Sequence, residues 1–267
     1  MRIAMGVEYD GHPFCGWQYQ DHSPSVQEAV ERALSQVADE PIRVICAGRT
    51  DTGVHGIGQV IHFDTRAERS ERAWVMGANA NLPKSVAVQW ARPVSKDFHA
   101  RFSAQRRRYR YVIFNRAVRP TFLQHRVAWA YRPLDEGRMQ AAAAPLLGEH
   151  DFNAYRARAC QAKSPVRTLH RLDVARHGEF IVLDLEANGF LHHMVRNIAG
   201  VLMAIGSGEQ AVGWSAEVLA RRDRRLGGVT APACGLYLVG VSYPPAFGLP
   251  PPAPAGGWPD VACPPGV

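Results

Sequence analysis

The chain has 267 residues, of which 46% are hydrophobic and 21% are charged. This composition is typical of a globular protein and excludes a disordered chain, and no apolar run reaches the roughly eighteen residues that a membrane helix needs. A net charge of +7 fits a polyanionic partner such as nucleic acid, although solvated surface arginines give the same charge.

Apolar periodicity predicts strands and helices along the whole chain. Ser25 followed by Glu28 is typical of a capped helix start, and the apolar residues after it recur at helical spacing. The predicted strands cover residues 2–9, 42–47, 57–64, 86–92, 107–115, 167–175, 179–187 and 236–243. One predicted helix begins at Ser25. Four more are predicted over about 70–82, 135–147, 190–206 and 214–222.

Runs of strands with helices between some of them indicate an α+β fold. We expect an N-terminal subdomain over residues 1–115, which holds a glycine-bounded loop at 48–56, and a C-terminal subdomain over 116–244. Residues 245–267 are rich in proline and glycine, so we expect a disordered tail. The N-terminus lacks the apolar core of a signal peptide, and we expect a cytoplasmic protein that does not associate with membranes.

No residue pattern in the chain predicts a metal site. The five cysteines are scattered and include no Cys-x-x-Cys pair, which argues against a disulfide framework and structural zinc. In the predicted helix 190–206, the adjacent His192 and His193 would point about 100° apart and could not bind one ion together. We therefore expect no bound metal.

The loop at residues 48–56 displays Arg49 and Asp51 between two predicted strands. In an extended segment these two side chains point to the same side, and a neighbouring arginine favours the ionised form of a carboxylate. Such a pair alone is most often an ordinary surface salt bridge.

The predicted strand 107–115 separates tyrosines from arginines. Tyr109 and Tyr111 share one face, and Arg108 and Arg110 lie on the other. The tyrosine face fits either core packing or stacking on an RNA base, and the arginine face fits either solvation or contact with phosphate. We expect Tyr111 to belong to the core.

The complete loop resembles the signature of the tRNA pseudouridine synthase A family, Gly-Arg-Thr-Asp-x-Gly-Val-His-Ala. It departs from that form in the last place, where Gly56 replaces alanine. Further matches to the family follow in order at residues 14–18, 59–63, 108–111, 164–167, 190–197 and 235–237. The resemblance covers residues 3–244 and leaves out only the tail.

This resemblance implies two α/β subdomains, each with an antiparallel sheet, which face one another across a basic cleft. It implies a homodimer that isomerises uridine to pseudouridine at positions 38, 39 and 40 in the anticodon stem-loop of tRNA. The reaction exchanges one bond between ribose and base for another, so we expect no cofactor, metal or second substrate.

The same resemblance assigns the site residues. Asp51 is the catalytic carboxylate, which bonds covalently to the nucleotide by attack at either the ribose or the base. The target base is flipped out of the RNA, and Arg49 fills the vacated space or steadies the flipped nucleotide. Tyr109 packs on the base, either as a stacking ring alone or also as the group that abstracts the proton at C5, and Arg196 pairs with Asp51.

Two interpretations from other classes remain open at this point. A hydrolase or glycosidase acting on nucleotides also uses a carboxylate, but it usually needs a second one, and the loop at 48–56 offers only Asp51. Free uracil as a product would favour that enzyme. A non-catalytic RNA-binding module predicts that Asp51 is dispensable.

Overall fold

The structure, a computed structural model, describes residues 1–252. It divides into two compact units: the first is Met1–Arg106 together with the described residues from Tyr237 onward, and the second is Arg107–Leu236. The first segment of this unit therefore ends before residue 115, and the unit includes most of the last strand among residues 1–252. No helix within residues 1–252 is long and apolar enough to cross a membrane.

Ten strands and five α-helices are present among the described residues. The strands are β1 Arg2–Tyr9, β2 Ile45–Cys46, β3 His55–Asp64, β4 Val86–Val94, β5 Arg106–Asn115, β6 Ala128–Ala130, β7 Gly148–Asp151, β8 Val166–His177, β9 Phe180–Ala187 and β10 Leu236–Ser242. The helices are α1 Val26–Ala38, α2 Glu71–Asn81, α3 Glu136–Ala143, α4 Met194–Gly206 and α5 Trp214–Arg221. This combination of sheet and helix confirms the predicted α+β class.

In the first unit the strands form a sheet in the order β4-β1-β3-β10, with β2 also paired on β3. β1 is antiparallel to both of its neighbours, and β2 is antiparallel to β3. β10 runs parallel to β3, with Tyr237 opposite His55, so this sheet is mixed rather than purely antiparallel. The loop at residues 48–56 joins β2 to β3, and the sheet therefore fixes both of its ends.

Helix α1 begins as the sequence predicts. The Ser25 hydroxyl accepts the main-chain N–H of Glu28 at 3.2 Å, which satisfies one of the unpaired donors at the helix start. The apolar stripe of α1 is buried in the core of the first unit and includes Val26, Ala29, Val30 and Leu34.

In the second unit the strand order is β5-β9-β8-β7, and all of these pairs are antiparallel. β6 pairs in parallel with the end of β5. Helix α3 packs against α4 and against β8. The four strands β5, β9, β8 and β7 form the antiparallel sheet that the family resemblance implied, and β6 adds one short parallel pair at its edge.

The predicted strand 42–47 shortens to Ile45–Cys46 because side chains of α1 take the preceding main-chain donors. The N–H of Ile42 donates to the Ser35 hydroxyl at 2.9 Å, and the N–H of Val44 donates to the Glu31 carboxylate at 3.0 Å. These donors are therefore not available for a strand partner. The short strands β6 and β7 were not predicted, since three or four residues carry no recognisable period.

Part of the predicted tail has a defined conformation. Pro245–Phe247 forms one turn of 3-10 helix, and the Phe247 ring contacts the Phe98 ring edge-on, with 5.2 Å between the centroids. The prediction of disorder is wrong for these residues because Phe247 has an aromatic partner in the first unit. The part of the predicted tail at 253–267 lies outside the described residues.

Candidate active site

The loop at residues 48–56 makes a tight turn directly after Asp51. The main-chain N–H of Val54 donates to the carbonyl oxygen of Asp51 at 3.1 Å and closes a four-residue turn. Gly53 in this turn has a φ of 76°, a left-handed conformation that glycine adopts without steric cost. The signature glycine therefore ends the segment that displays Asp51.

Thr50 anchors this segment to the core of the first unit. Its side chain is buried, and its hydroxyl lies 2.8 Å from the Tyr9 hydroxyl. Its carbonyl oxygen accepts the main-chain N–H of Trp17 at 3.0 Å. On either side of it Arg49 is exposed and Asp51 is half-buried, as the alternation of an extended segment predicts.

Two further signature segments support the loop from the interior. Gly16 has a φ of 93°, and a Cβ atom there would lie 2.9 Å from the Thr50 carbonyl oxygen, so the close approach requires glycine. The next residue, Trp17, is buried and has a structural role. The buried Gln59 amide donates to the Gly48 carbonyl oxygen at 2.7 Å. These contacts leave the loop little freedom to move.

The signature histidine, His55, is buried in the first unit. Its Nδ1 accepts the main-chain N–H of Gly11 at 3.1 Å and lies 3.2 Å from Asp10 Oδ1. Its ring stacks on the Tyr237 ring, with 4.6 Å between the centroids. His55 therefore connects the end of the loop to the segment after β1 and to β10.

Two arginines lie near the Cys46 thiol in the first unit. Burial raises the pKa of this thiol to about 12, and the positive charges of Arg49 and Arg101 oppose the rise. Both arginines are exposed, and the Arg101 guanidinium lies 5.5 Å from the centroid of the exposed Phe102 ring. Positive charge beside an exposed aromatic ring suits contact with RNA.

Tyr109 lies in β5 of the second unit, opposite Leu185 of β9. Its ring meets the edge of Phe190 with 5.1 Å between the centroids, and 8% of the residue is exposed. Tyr111, on the same face, is fully buried and donates its hydroxyl to the Pro232 carbonyl oxygen at 2.8 Å. The core role predicted for Tyr111 is confirmed, while Tyr109 keeps a small exposed fraction.

The opposite face of β5 meets acidic residues of β9. Arg110 is buried and donates twice to the Asp184 carboxylate, at 2.9 Å each. Arg108 stands opposite Glu186, and burial lowers the pKa of its guanidinium. The prediction that this face is solvated or binds phosphate is wrong for Arg110, whose charge is neutralised by Asp184.

Arg196 is the third residue of α4 and is half-buried. Its Nε donates to the Ala231 carbonyl oxygen at 2.8 Å, and the Ala231 N–H donates to the Arg196 carbonyl oxygen at 3.1 Å. A Cβ atom at Gly200 would lie 1.8 Å from the Val229 carbonyl oxygen. The segment around Val229 therefore packs on α4 and orients Arg196.

The predicted helix 190–206 begins only at Met194, so His192 and His193 precede it. His193 has a φ of 62°, which is left-handed and incompatible with the helix. The two imidazole rings are 4.0 Å apart between centroids. The prediction that the two side chains point apart is therefore wrong. The separation of about 100° between neighbouring helical residues no longer argues against a metal ion shared by His192 and His193.

The four predicted site residues fall into two groups. Arg49 and Asp51 share the loop of the first unit, and Tyr109 and Arg196 belong to the second. The sequence patterns did not predict the residues that hold the loop, such as Tyr9, because its partner Thr50 is 41 positions away.

Comparison with known proteins identifies the family. The family model described as tRNA pseudouridine synthase matches residues 5–103 and 142–244. The tRNA pseudouridine synthase A of Pseudomonas aeruginosa is 61% identical over 250 residues, which cover 93% of this chain and 88% of that protein. That of Nitrosococcus oceani is 59% identical over 250 residues, covering 94% of this chain and 96% of that protein. That of Legionella pneumophila strain Lens is 57% identical over 249 residues, covering 93% and 95%.

The family model covers three of the four predicted site residues. Arg49, Asp51 and Arg196 lie inside the two segments matched by the family model, and Tyr109 lies between them. These curated relatives are all named tRNA pseudouridine synthase A, and they align with nearly the whole chain. The chain belongs to the tRNA pseudouridine synthase family and is an isomerase that converts uridine in tRNA to pseudouridine.

Proposed function

We propose that this enzyme isomerises uridine at positions 38, 39 and 40 in the anticodon stem-loop of tRNA, with Asp51 as the nucleophile. One observation carries the assignment of Asp51: it is half-buried in a glycine-closed turn, next to the anchored Thr50. Such a carboxylate has a fixed position and is still accessible to a nucleotide. The stem-loop positions rest on the resemblance of the signature motifs.

The chemistry needs one well-placed carboxylate. The bond between ribose C1′ and uracil N1 breaks, the base turns, and a bond between C1′ and C5 forms. The hydrogen at C5 leaves as a proton and N1 gains a proton, so the atoms balance without a second substrate. A covalent bond between Asp51 and the nucleotide divides this exchange into two easier steps.

The remaining site residues bind the substrate. A base inside a helix or loop must be flipped out before Asp51 can reach it, and the exposed Arg49 is free of the core and can steady the extruded nucleotide. Tyr109, of which a small fraction is exposed, packs on the uracil. Arg196, oriented by Ala231, is the proposed ion-pair partner of Asp51.

The assembly and the location are also part of the proposal. The resemblance of the motifs supports a homodimer in which one tRNA contacts both subunits. We also propose a location in the cytoplasm and a reaction without a bound cofactor.

The reaction can be tested with an anticodon stem-loop that carries tritium at C5 of a uridine at position 38, 39 or 40. We expect release of tritium to water without strand cleavage and without free uracil. A stem-loop labelled only at a uridine outside these positions is the control and should keep its tritium. Free uracil would instead identify a hydrolase, and equal release from the control would contradict the proposed positions.

A further inference from the structure

Two arginines lie close together on the Tyr109 face of the second unit. Arg107 of β5 is opposite Ala187 of β9, which is opposite Leu169 of β8. Side chains two residues apart in a strand lie on the same face of the sheet, as do paired residues on neighbouring strands. Arg167 precedes Leu169 by two residues, and Tyr109 follows Arg107 by two. Both arginines therefore lie on the same face as Tyr109.

The segment at residues 189–190 contacts both the Arg167 side chain and the Tyr109 ring. A Cβ atom at Gly189 would lie 3.6 Å from Arg167 Nε, and the next residue, Phe190, packs on the Tyr109 ring. The two arginines therefore stand at the end of the sheet beside the ring that we propose packs on the uracil.

Main-chain oxygens hold both guanidinium groups in fixed orientations. Arg107 donates to the Asn188 carbonyl oxygen at 3.1 Å. Arg167 donates to the carbonyl oxygens of Ser164, at 3.0 Å, and of Val166. Within residues 1–252, Arg167 forms no salt bridge with a carboxylate. Its charge therefore has only neutral acceptors on the protein.

A fixed, partly buried guanidinium that contacts only neutral acceptors, as Arg167 does within residues 1–252, is costly without an anion. Both arginines are half-buried. Burial lowers the pKa of the Arg167 guanidinium, and the positive charge of Arg107 acts in the same direction. An anion between or above the two groups would relieve this repulsion, and a guanidinium matches the geometry of phosphate oxygens.

We propose that Arg107 and Arg167 form a subsite for a backbone phosphate of the RNA substrate, next to the flipped uridine. The occupant is a phosphodiester because the substrate of the family is tRNA, and the site adjoins Tyr109. This inference rests on the proposed function only through the base-packing role of Tyr109. The phosphate contact would hold the backbone while the base turns.

The test compares Arg167→Ala with Arg138→Ala in equilibrium binding of an anticodon stem-loop at several salt concentrations. Arg138 is a matched control, since its guanidinium is also held by two main-chain carbonyl oxygens of the second unit, those of Ile205 and Gln210. We expect Arg167→Ala to lose roughly 5–10-fold in affinity and about 0.7–0.9 from the magnitude of the log–log salt slope. The control should change affinity by less than about twofold.

A second arm identifies the phosphate. Each linkage next to the target uridine is replaced in turn by a neutral methylphosphonate. One such replacement should weaken binding by the wild type and leave binding by Arg167→Ala unchanged. If the variant does not fold, Arg107→Ala takes its place in the same scan.

Two results would overturn the phosphate subsite. One is an Arg167→Ala variant that binds like Arg138→Ala. The other is a neutral linkage that weakens the wild type and the variant equally. Because the readout is RNA affinity and not product formation, this outcome does not depend on whether Asp51 is the nucleophile.

Discussion

Among single residues, Thr50 has the strongest influence on the geometry of the proposed nucleophile. Its hydroxyl meets the Tyr9 hydroxyl at 2.8 Å in a buried position, and its carbonyl oxygen accepts the Trp17 N–H. Asp51 follows at once, so any rotation at Thr50 moves the carboxylate. A displacement of even 1 Å at a reacting atom is costly in rate, which makes Tyr9 a positioning residue.

Removing the Tyr9 hydroxyl should therefore reduce turnover more than substrate binding. For Tyr9→Phe we expect kcat to fall roughly 3–10-fold, with KM within about twofold of the wild type, which corresponds to about one hydrogen bond. The free energy of unfolding should fall by about 1–2 kcal/mol because the Thr50 hydroxyl loses its buried partner.

Thr50→Val and the double variant complete a cycle with Tyr9→Phe. Because the two hydroxyl groups share one hydrogen bond, the loss of kcat in the double variant should be smaller than the sum of the two losses. Additive losses of kcat would show that Tyr9 does not act through Thr50. An unchanged kcat in a folded Tyr9→Phe variant would show that its role is only structural.

A second buried residue gives the stability of the first unit a pH dependence. His62 is buried, and its Nδ1 accepts the main-chain N–H of Ala100 at 3.1 Å. Burial lowers the pKa of His62 to about 4, and the charges of Arg2 and His99 add to this effect. The folded protein therefore keeps His62 neutral at pH values at which the unfolded chain protonates it.

Between pH 6.5 and about 4 the unfolded chain binds a proton at position 62 that the folded chain does not. The free energy of unfolding should thus decrease as the pH falls through this window, by up to roughly 3 kcal/mol from His62. His62→Asn keeps an acceptor for the Ala100 N–H and removes the titration. Chemical denaturation at several pH values should give a flatter profile for this variant. Identical slopes for the two proteins would disprove the assignment.

Among the elements, α4 does the most to orient a site residue, because the segment that contacts Arg196 packs along it. Gly200 makes this packing possible: a Cβ atom there would lie 1.8 Å from the Val229 carbonyl oxygen. Main-chain atoms cannot move aside as the end of a side chain can. The glycine is therefore needed for a close approach and not for helix flexibility.

Gly200→Ala should destabilise the protein although the same change inside a helix ordinarily stabilises it by about 0.5–1 kcal/mol. We expect a loss of roughly 1–3 kcal/mol from the steric conflict and a lower turnover, because Arg196 shifts with the Val229 segment. Thermal unfolding measures the first effect. Gly213→Ala is the control, since nothing lies within 4 Å of its added methyl group. A Gly200→Ala protein more stable than the wild type would exclude this packing role.

The sequence predicted those elements whose apolar period matches their burial. The capped start of α1 and the tyrosine face of β5 follow directly from local spacing. The start of α4 could not be predicted in the same way, because the left-handed backbone of His193 interrupts an apolar pattern that continues without a break. The sequence also could not predict that residues 42–44 do not form a strand, since this depends on hydrogen bonds to side chains of α1.

The candidate site was predictable only where its residues are neighbours in the sequence. The glycine-bounded loop brings Arg49 and Asp51 together within three residues. The alternation predicted that both side chains lie on the side opposite the buried Thr50. The Tyr9–Thr50 contact and the Arg107–Arg167 pair join residues that are far apart in the chain. Strand pairing and the packing of loops on strands bring such residues together, and neither can be read from the spacing of residues in a single sequence.

For the whole molecule, the net charge of +7 supports binding driven by release of counterions from RNA. Each phosphate neutralised on tRNA contributes about −0.9 in a duplex or −0.7 in a single strand to the log–log salt slope. With several arginine contacts we expect a slope of about −3 or steeper for tRNA affinity between 50 and 300 mM salt. A slope near zero would contradict an electrostatic interface.

The proposed mechanism depends on the Asp51 carboxylate as the nucleophile, and the Asp51→Asn variant removes that nucleophile. Asparagine keeps the shape of the side chain but cannot act as an anionic nucleophile, so pseudouridine formation should slow by at least roughly 10³-fold, about 4 kcal/mol of barrier. The unfolding midpoint should stay near that of the wild type, and tRNA affinity within about tenfold, because phosphate contacts elsewhere supply most of it.

Asp21→Asn, at an exposed position, is the matched control for the loss of one carboxylate and should react at the wild-type rate. The decisive measurement is the rate of pseudouridine formation by folded, tRNA-bound Asp51→Asn. If Asp51 is the nucleophile, nearly no product should form on the time scale of the control. Product formed at the wild-type rate would contradict this role of Asp51.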